Sequence, residues 1–134
     1  MIVASIRPRS METAKAVSGE REFTPHEGMV EAPLPPPPWP DFFKLSPRLW
    51  GVVARAWWWF FNHHEGHETK AEAQVRARNA ADHLENLAAG GGDVLVVAHG
   101  FFNAMIGNEL KRRGWRLARD EGYKYWSARR FVRG

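Results

Sequence analysis

The feature that most constrains the fold is a short apolar run that ends at a histidine. Val94 to Ala98 are apolar with no alternation, which is typical of a strand buried on both faces. After His99 and Gly100, apolar residues recur at helical spacing. These residues are Phe102, Met105, Ile106 and Leu110. The pattern predicts a parallel strand and then a helix, with His99 at the carboxyl end of the strand.

This position of His99 favours a ligand site over a purely structural role. In open α/β sheets, ligands bind at the carboxyl edge of the strands. The first N–H groups of a helix attract anions, and glycine at position 100 permits close approach of the backbone to a ligand. We therefore expect His99 and Gly100 to contact an anion such as phosphate.

Size and composition predict a single domain over residues 1–134. A hydrophobic content of 44% and seven Trp indicate a folded chain. The sequence has no Cys, which excludes disulfides and thiolate metal sites. A chain without cysteine and without an evident signal peptide is expected in the cytoplasm. The formal net charge of +4 is spread over the sequence, so we expect a solvated basic face and no nucleic-acid binding.

The remaining patterns indicate an α/β fold. Met1 to Ser5 has the length and composition of a strand, and Pro8 suits the first turn of the next helix. Residues 20–45 look irregular. The clearest helix runs from Glu68 to about Ala89, because its alanines and leucines follow a four-and-three spacing. With an edge strand around 126–132, we predict a small, mostly parallel sheet flanked by helices.

Residues 33–66 are predicted to form a variable cap or insertion. Its prolines favour an extended surface loop, and Ser46-Pro47 is a good helix start. The segment that follows is apolar almost all round, but its Trp57–Phe61 run is too short to span a bilayer, which takes about 20 residues. We expect this helix to pack against the body of the protein. A lid, a partner surface or a membrane-interface contact are the alternatives.

Other chemistries have little support in the sequence. His63, His64 and His67 lie close to Glu65 and Glu68, but the order of these residues differs from the zinc-protease pattern. We therefore expect a polar loop there and no metal site. The sequence contains neither a Gly-x-Ser-x-Gly elbow nor a phosphate-cradling Gly-x-x-x-x-Gly-Lys loop.

Four segments of the chain, in order, resemble the histidine phosphatase superfamily, the phosphoglycerate mutase-like group. In the family, the first reads Ser-x-x-x-Arg-Ala-x-Gln-Thr-Ala and the second bears an acid. The third begins a helix with Glu-Ser, and the fourth is a strand that ends at a histidine. The segments here are ASIRPRSMETA at 4–14, MVEA at 29–32, Glu68-Thr69 with Arg76 or Arg78 downstream, and VLVVAHG at 94–100.

The resemblance implies roles for individual residues. Arg9 falls on the phosphate-binding arginine, His99 on the second histidine of the pocket and Glu31 on the proton donor. In the family mechanism a neutral histidine attacks phosphorus, cationic groups stabilise the phosphoryl oxygens, and an acid protonates the leaving oxygen. The resemblance thus implies catalytic roles for Glu31 and His99 and phosphate contacts at Arg9, His99 and Gly100. The expected ligand is a phosphorylated small molecule, with no cofactor.

The nucleophile of the family has no counterpart here. It lies in an Arg-His-Gly motif on a central first strand, and this sequence contains no Arg-His pair. We therefore expect an N-terminally truncated family fold without phosphatase activity. The chain would be a fragment of an active enzyme, a relative that binds phosphorylated ligands without turnover, or an interaction module that uses the Trp-rich helix. Loss of a central strand also predicts marginal stability or a homodimer that covers the exposed sheet edge.

Overall fold

The computed structural model describes residues 1–31, 46–61, 68–122 and 124–134. Within them the chain forms four α-helices, five strands and one 3-10 turn. These are β1 (Ile2–Ser5), α1 (Pro8–Ser18), β2 (Thr24–His26), the 3-10 turn (Glu27–Met29), α2 (Pro47–Phe61), α3 (Lys70–Ala88), β3 (Leu95–Val97), α4 (Gly100–Arg112), β4 (Arg116–Asp120) and β5 (Arg129–Val132). The chain divides into two compact units, residues 1–31 with 76–134, and residues 32–75.

The first unit contains a three-stranded parallel sheet in the order β2–β1–β3. Val3 of β1 pairs with Thr24 on one side and with Val96 on the other. The central strand β1 is buried along its whole length, and α1 packs against β1 and β3. Parallel neighbours need crossover connections, which helices supply here. The predicted small parallel sheet with flanking helices is thus confirmed.

Strand β2 lies in a region that the sequence indicated to be irregular. It has only three residues and includes Pro25. Proline has no N–H to donate to a sheet, so it is tolerated at a sheet edge and not in the centre. Because β2 is an edge strand, it pairs with β1 although its composition is not typical of a strand.

The burial predicted for the run before His99 is wrong. Val94 to Ala98 contains no buried residue, and Leu95 is 40% exposed. The cause is the position of β3 at the other edge of the sheet, where one side has no neighbouring strand among the described residues. The expectation of a homodimer depends on this edge and stays a prediction.

Helix α4 presents the apolar face that its sequence spacing predicts. The four residues of that face are buried, together with alanines of α3 at the same kind of spacing. Strand β5 approaches α4 at Gly107, where an added Cβ would lie 2.8 Å from the ring of Phe131. Glycine at position 107 is therefore required by the close contact with β5, which forms an antiparallel pair with β4.

A network of ion pairs connects the C-terminal end of α4 to α3 in the first unit. Arg113 Nη1 lies 2.5 Å from Asp82 Oδ1 and 2.8 Å from Glu85 Oε2, and its Nε lies 3.2 Å from Glu109 Oε1. The hydrogen bond with Glu85 is the main cause that raises the pKa of Arg113. Trp115 Nε1 also donates to Glu85, at 2.7 Å. Part of the basic C-terminal region is thus neutralised internally.

The second unit includes α2 and the first turns of α3. The predicted helix start is present, since Ser46 Oγ accepts the N–H of Leu49 at 3.3 Å. Trp58 is fully buried, and its Nε1 donates to the carbonyl of Glu68 at 3.2 Å. Among the described residues, no helix is long and apolar enough to cross a membrane. The predicted loops at 33–45 and 62–66, including His63 and His64, and also His67 lie outside the described residues.

Candidate functional site

His99 lies where the carboxyl end of β3 meets the N-terminus of α4. It is the residue immediately before the first turn of α4 and has an extended backbone. Because β1 runs parallel to β3, the end of β1 reaches the same edge, and Ser5 Oγ lies 3.1 Å from His99 Nε2. Ser10 Oγ, in the first turn of α1, lies 3.5 Å from the same nitrogen. Both serines are buried, so two fixed hydroxyls orient the imidazole.

Three charged side chains act on the pKa of His99. Burial lowers the pKa of His99, the charge of Glu31 acts in the opposite direction, and the guanidinium charges of Arg7 and Arg9 lower it further. The neutral imidazole is therefore favoured near pH 7. The structure brings His99 together with Arg9 and Glu31, and it adds Arg7.

Arg7 also acts on His99 through its charge, and the sequence reasoning missed it. It is the N-terminal capping residue of α1, and Arg9 lies in the first turn, which contains no acidic residue. Cations at this end of a helix are unfavourable because the helix dipole is positive there. Two arginines on either side of Pro8, with no acid in the first turn to balance them, are the sequence signal that could have drawn attention to Arg7.

Glu31 is held by the backbone of α4. Its Oε1 accepts the N–H of Phe102 at 2.8 Å. This N–H is one of the first in the helix, which have no partner within the helix itself. One of the groups expected to bind an external anion is therefore already bonded to an internal carboxylate. The side chain of His99 makes no capping hydrogen bond to α4.

Arg76 joins the segment that bears Glu31 to the start of α4. Its Nη1 donates to the carbonyl of Gly28 at 3.0 Å and to the carbonyl of Val30. Its guanidinium lies 3.9 Å from the centre of the Phe102 ring, a cation–π contact. Of the two arginines that the resemblance left open, Arg76 therefore contacts the acid-bearing segment.

Gly100 leaves open space at the start of α4. An added Cβ at this position would meet no atom within 4 Å, and the residue is exposed. The packing of the protein itself does not require glycine there. A small residue at a helix N-terminus is consistent with close approach of a ligand to the backbone.

A pair of histidines, His26 and His83, lies beside the acid-bearing segment. The rings of His26 and His83 are 4.6 Å apart, and His26 Nδ1 accepts the N–H of Gly28 at 3.0 Å. Burial lowers the pKa of His26, the charge of His83 lowers it further, and Glu27 opposes both. Within the described part of the chain, no group of three or more His, Cys, Asp or Glu side chains could hold a metal ion.

We expect the free energy of unfolding to fall as the pH drops below about 6.5. In the folded state the pKa values of His26 and His99 lie below their ordinary value. Between those values and about 6.5, the unfolded chain binds more protons than the folded one. The contribution of these two histidines to the free energy of unfolding is therefore complete above about pH 6.5. It is lost as the pH falls through their lowered pKa values. Thermal melts between pH 8 and pH 5 test this.

The control variant for this pH dependence is His26→Asn. The amide oxygen of asparagine can accept the Gly28 N–H that His26 accepts, but it does not titrate. We expect the melting temperature of this variant to fall less than that of the wild type over the same range. A wild-type melting temperature that is constant from pH 8 to pH 5 would contradict the prediction.

Comparison with known families supports the resemblance found in the sequence. The family model of the histidine phosphatase superfamily (branch 1) matches residues 1–128. The matched region contains the segments of Arg9, Glu31, Arg76 and His99. Searches of curated proteins and of solved structures found no match. The chain belongs to the histidine phosphatase superfamily.

Proposed function

We propose that this chain binds phosphorylated small molecules at His99 and Arg9 and does not hydrolyse them. One observation carries the proposal, namely that the half-buried imidazole of His99 lies directly before the N-terminus of α4, where the charges of Arg7, Arg9 and Glu31 act on it. Two guanidinium groups beside a helix N-terminus form a site of positive potential. A phosphate is the anion that this arrangement suits, because guanidinium can donate two parallel hydrogen bonds to its oxygens.

The proposed roles follow from the position of each group. Arg9 and the backbone N–H of the exposed residue Gly100 stabilise the phosphoryl oxygens. The neutral imidazole of His99 donates one N–H to an oxygen of the ligand. Glu31 lies beside the phosphoryl group, where a carboxylic acid would protonate a leaving oxygen in an active relative.

The absence of turnover follows from the absence of a nucleophile. The sequence has no Arg-His pair that could supply the attacking histidine. The hydroxyls of Ser5 and Ser10 lie within hydrogen-bond distance of His99, and both residues are buried. A hydroxyl that solvent does not reach is not placed to attack a bound phosphoryl group. The domain would therefore bind a phosphorylated ligand without hydrolysing it, whereas an active family member would hydrolyse it.

Calorimetric titration with inorganic phosphate tests the proposal. We expect Arg9→Ala to weaken binding roughly 10-fold or more, because hydrogen bonds to charged groups contribute about 1.5–3 kcal/mol. Arg21→Ala is the matched control, since Arg21 is an exposed arginine in the loop after α1. With p-nitrophenyl phosphate, the wild type should release no p-nitrophenol above the buffer rate.

Two results would overturn this function. Equal phosphate affinity in the wild type and Arg9→Ala would show that the anion does not lie at this site. Hydrolysis of p-nitrophenyl phosphate that disappears in His99→Ala would show that the chain has its own nucleophile and is a phosphatase. Circular dichroism of each variant confirms that the comparison is between folded proteins.

A further inference from the structure

The Nε2 atom of His99 faces two serine hydroxyls in the protein interior. Ser5 Oγ lies 3.1 Å from this nitrogen, and Ser10 Oγ lies 3.5 Å from it. Ser5 is 0% exposed and Ser10 is 4% exposed. Among the described residues, neither hydroxyl has another acceptor for its proton. Both protons therefore depend on the lone pair of His99 Nε2, since buried polar groups need hydrogen-bond partners.

The backbone of Arg7 restricts the direction of the Ser5 hydroxyl. The N–H of Arg7 donates to Ser5 Oγ at 3.4 Å. The oxygen of Ser5 accepts this bond, so its own proton points elsewhere, and His99 Nε2 is the acceptor within reach. Ser5 is thus placed to donate to the imidazole.

The two neutral tautomers of His99 differ in how they satisfy these protons. In a neutral imidazole one ring nitrogen carries the hydrogen and the other accepts one. With the hydrogen on Nε2, the protons of Ser5 and Ser10 would both be buried without an acceptor, which is costly. With the hydrogen on Nδ1, Nε2 accepts the proton of Ser5 at the shorter of the two distances. The count of donors and acceptors therefore favours the Nδ1–H tautomer.

The other ring nitrogen is open to a ligand. In the described part of the chain, His99 Nδ1 makes no hydrogen bond, and the side chain does not cap α4. Nδ1 is also not one of the buried side-chain atoms that lack a partner there, so it reaches solvent. A hydrogen on this atom attracts a phosphate oxygen, whereas a lone pair on the same atom would repel it.

We propose that Ser5 is a positioning residue that holds His99 as its Nδ1–H tautomer and thereby presents Nδ1–H to a phosphoryl oxygen. The inference rests on the proposed function, because it specifies which atom of His99 contacts the phosphate. Ser5 does not touch the ligand itself. It acts through His99, whose tautomer is set by the bond that the opposite nitrogen makes.

Nuclear magnetic resonance of the full chain, isotope-labelled at its histidine nitrogens, tests the tautomer before any phosphate is added. Long-range proton–nitrogen correlation shows which ring nitrogen carries the hydrogen, and loss of signals in His99→Asn assigns those of His99. At pH 8, where the imidazole is neutral, the wild type should carry the hydrogen on Nδ1. In Ser5→Ala a measurable fraction should carry it on Nε2. Ser18→Ala, the matched control, should resemble the wild type. Ser18 is a buried serine on α1 whose hydroxyl donates to the carbonyl of Lys15.

Inorganic phosphate then tests the contact with the ligand. In the wild type its addition should shift the Nδ1 resonance of His99 more than the Nε2 resonance. Ser5→Ala should weaken phosphate binding by about 2-fold to 10-fold, as expected for the loss of one hydrogen bond, and Ser18→Ala should leave the affinity unchanged.

Three results would overturn the inference: a wild-type hydrogen on Nε2, a tautomer that Ser5→Ala leaves unchanged, or a larger phosphate shift at Nε2 than at Nδ1. A change of tautomer in Ser10→Ala but not in Ser5→Ala would give the positioning role to the other serine. Absence of phosphate binding in the wild type would overturn the proposed function and the ligand contact with it. The spectrum recorded before phosphate is added decides the role of Ser5 in either case.

Discussion

Replacement of Phe102 by alanine is expected to lower the free energy of unfolding by about 3–5 kcal/mol. The side chain is fully buried in the first turn of α4. The guanidinium carbon of Arg76 lies 3.9 Å from the centre of its ring. The substitution leaves a cavity that the surrounding structure fills only in part, and it removes the aromatic partner of a half-buried cation. Urea unfolding followed by circular dichroism measures the change.

Two controls define this effect. Phe102→Leu keeps much of the volume and should cost about 1 kcal/mol. Tyr125→Ala removes an aromatic side chain that is 86% exposed and should change the stability by less than about 0.5 kcal/mol. A loss in Phe102→Ala no larger than that in Tyr125→Ala would contradict the position of Phe102 in the core.

The same substitution separates stability from the site. Glu31 accepts the backbone N–H of residue 102, and alanine retains this donor. The folded fraction of Phe102→Ala should therefore still present Glu31 at the N-terminus of α4. This behaviour distinguishes a backbone contact from one that depends on the side chain.

The sequence was sufficient to locate the elements that carry the site. The apolar run before His99 and the helical spacing after it gave the strand, the helix and the position of His99 between them. The order Ser46-Pro47 gave the start of α2. These predictions succeed because they depend on local chemistry, in which a cap, a proline or a spacing acts within a few residues.

Features that depend on the neighbours of an element were missed or predicted wrongly. The burial of β3 is set by the strand beside it, and its apolar composition does not reveal that it is an edge strand. Strand β4 has the sequence RLARD, which gives almost no strand signal because the strand is mostly exposed. Arg76 binds two backbone carbonyls. Every residue type has a backbone carbonyl, so the sequence does not reveal which ones accept a hydrogen bond.

Replacement of Arg76 by alanine is expected to lower the free energy of unfolding by about 2–4 kcal/mol. The half-buried carbonyls of Gly28 and Val30 lose their common donor, and a hydrogen bond to a charged group contributes about 1.5–3 kcal/mol. The cation–π contact with Phe102 is lost as well. Arg78→Ala is the matched control, because Arg78 is an exposed arginine on the same helix. Urea unfolding of the two variants gives the comparison.

Hydrogen exchange then shows whether Arg76 acts on the site or only on overall stability. The amide of Phe102 is bonded to Glu31, whose segment Arg76 holds in place. In Arg76→Ala this amide should lose more protection than the amide of Leu110, a buried residue in the last turn of the same helix. An equal loss at both amides would mean that the whole of α4 opens together. In that case Arg76 would contribute to the core without positioning Glu31, and the geometry of the acid would have to be set by α4 alone.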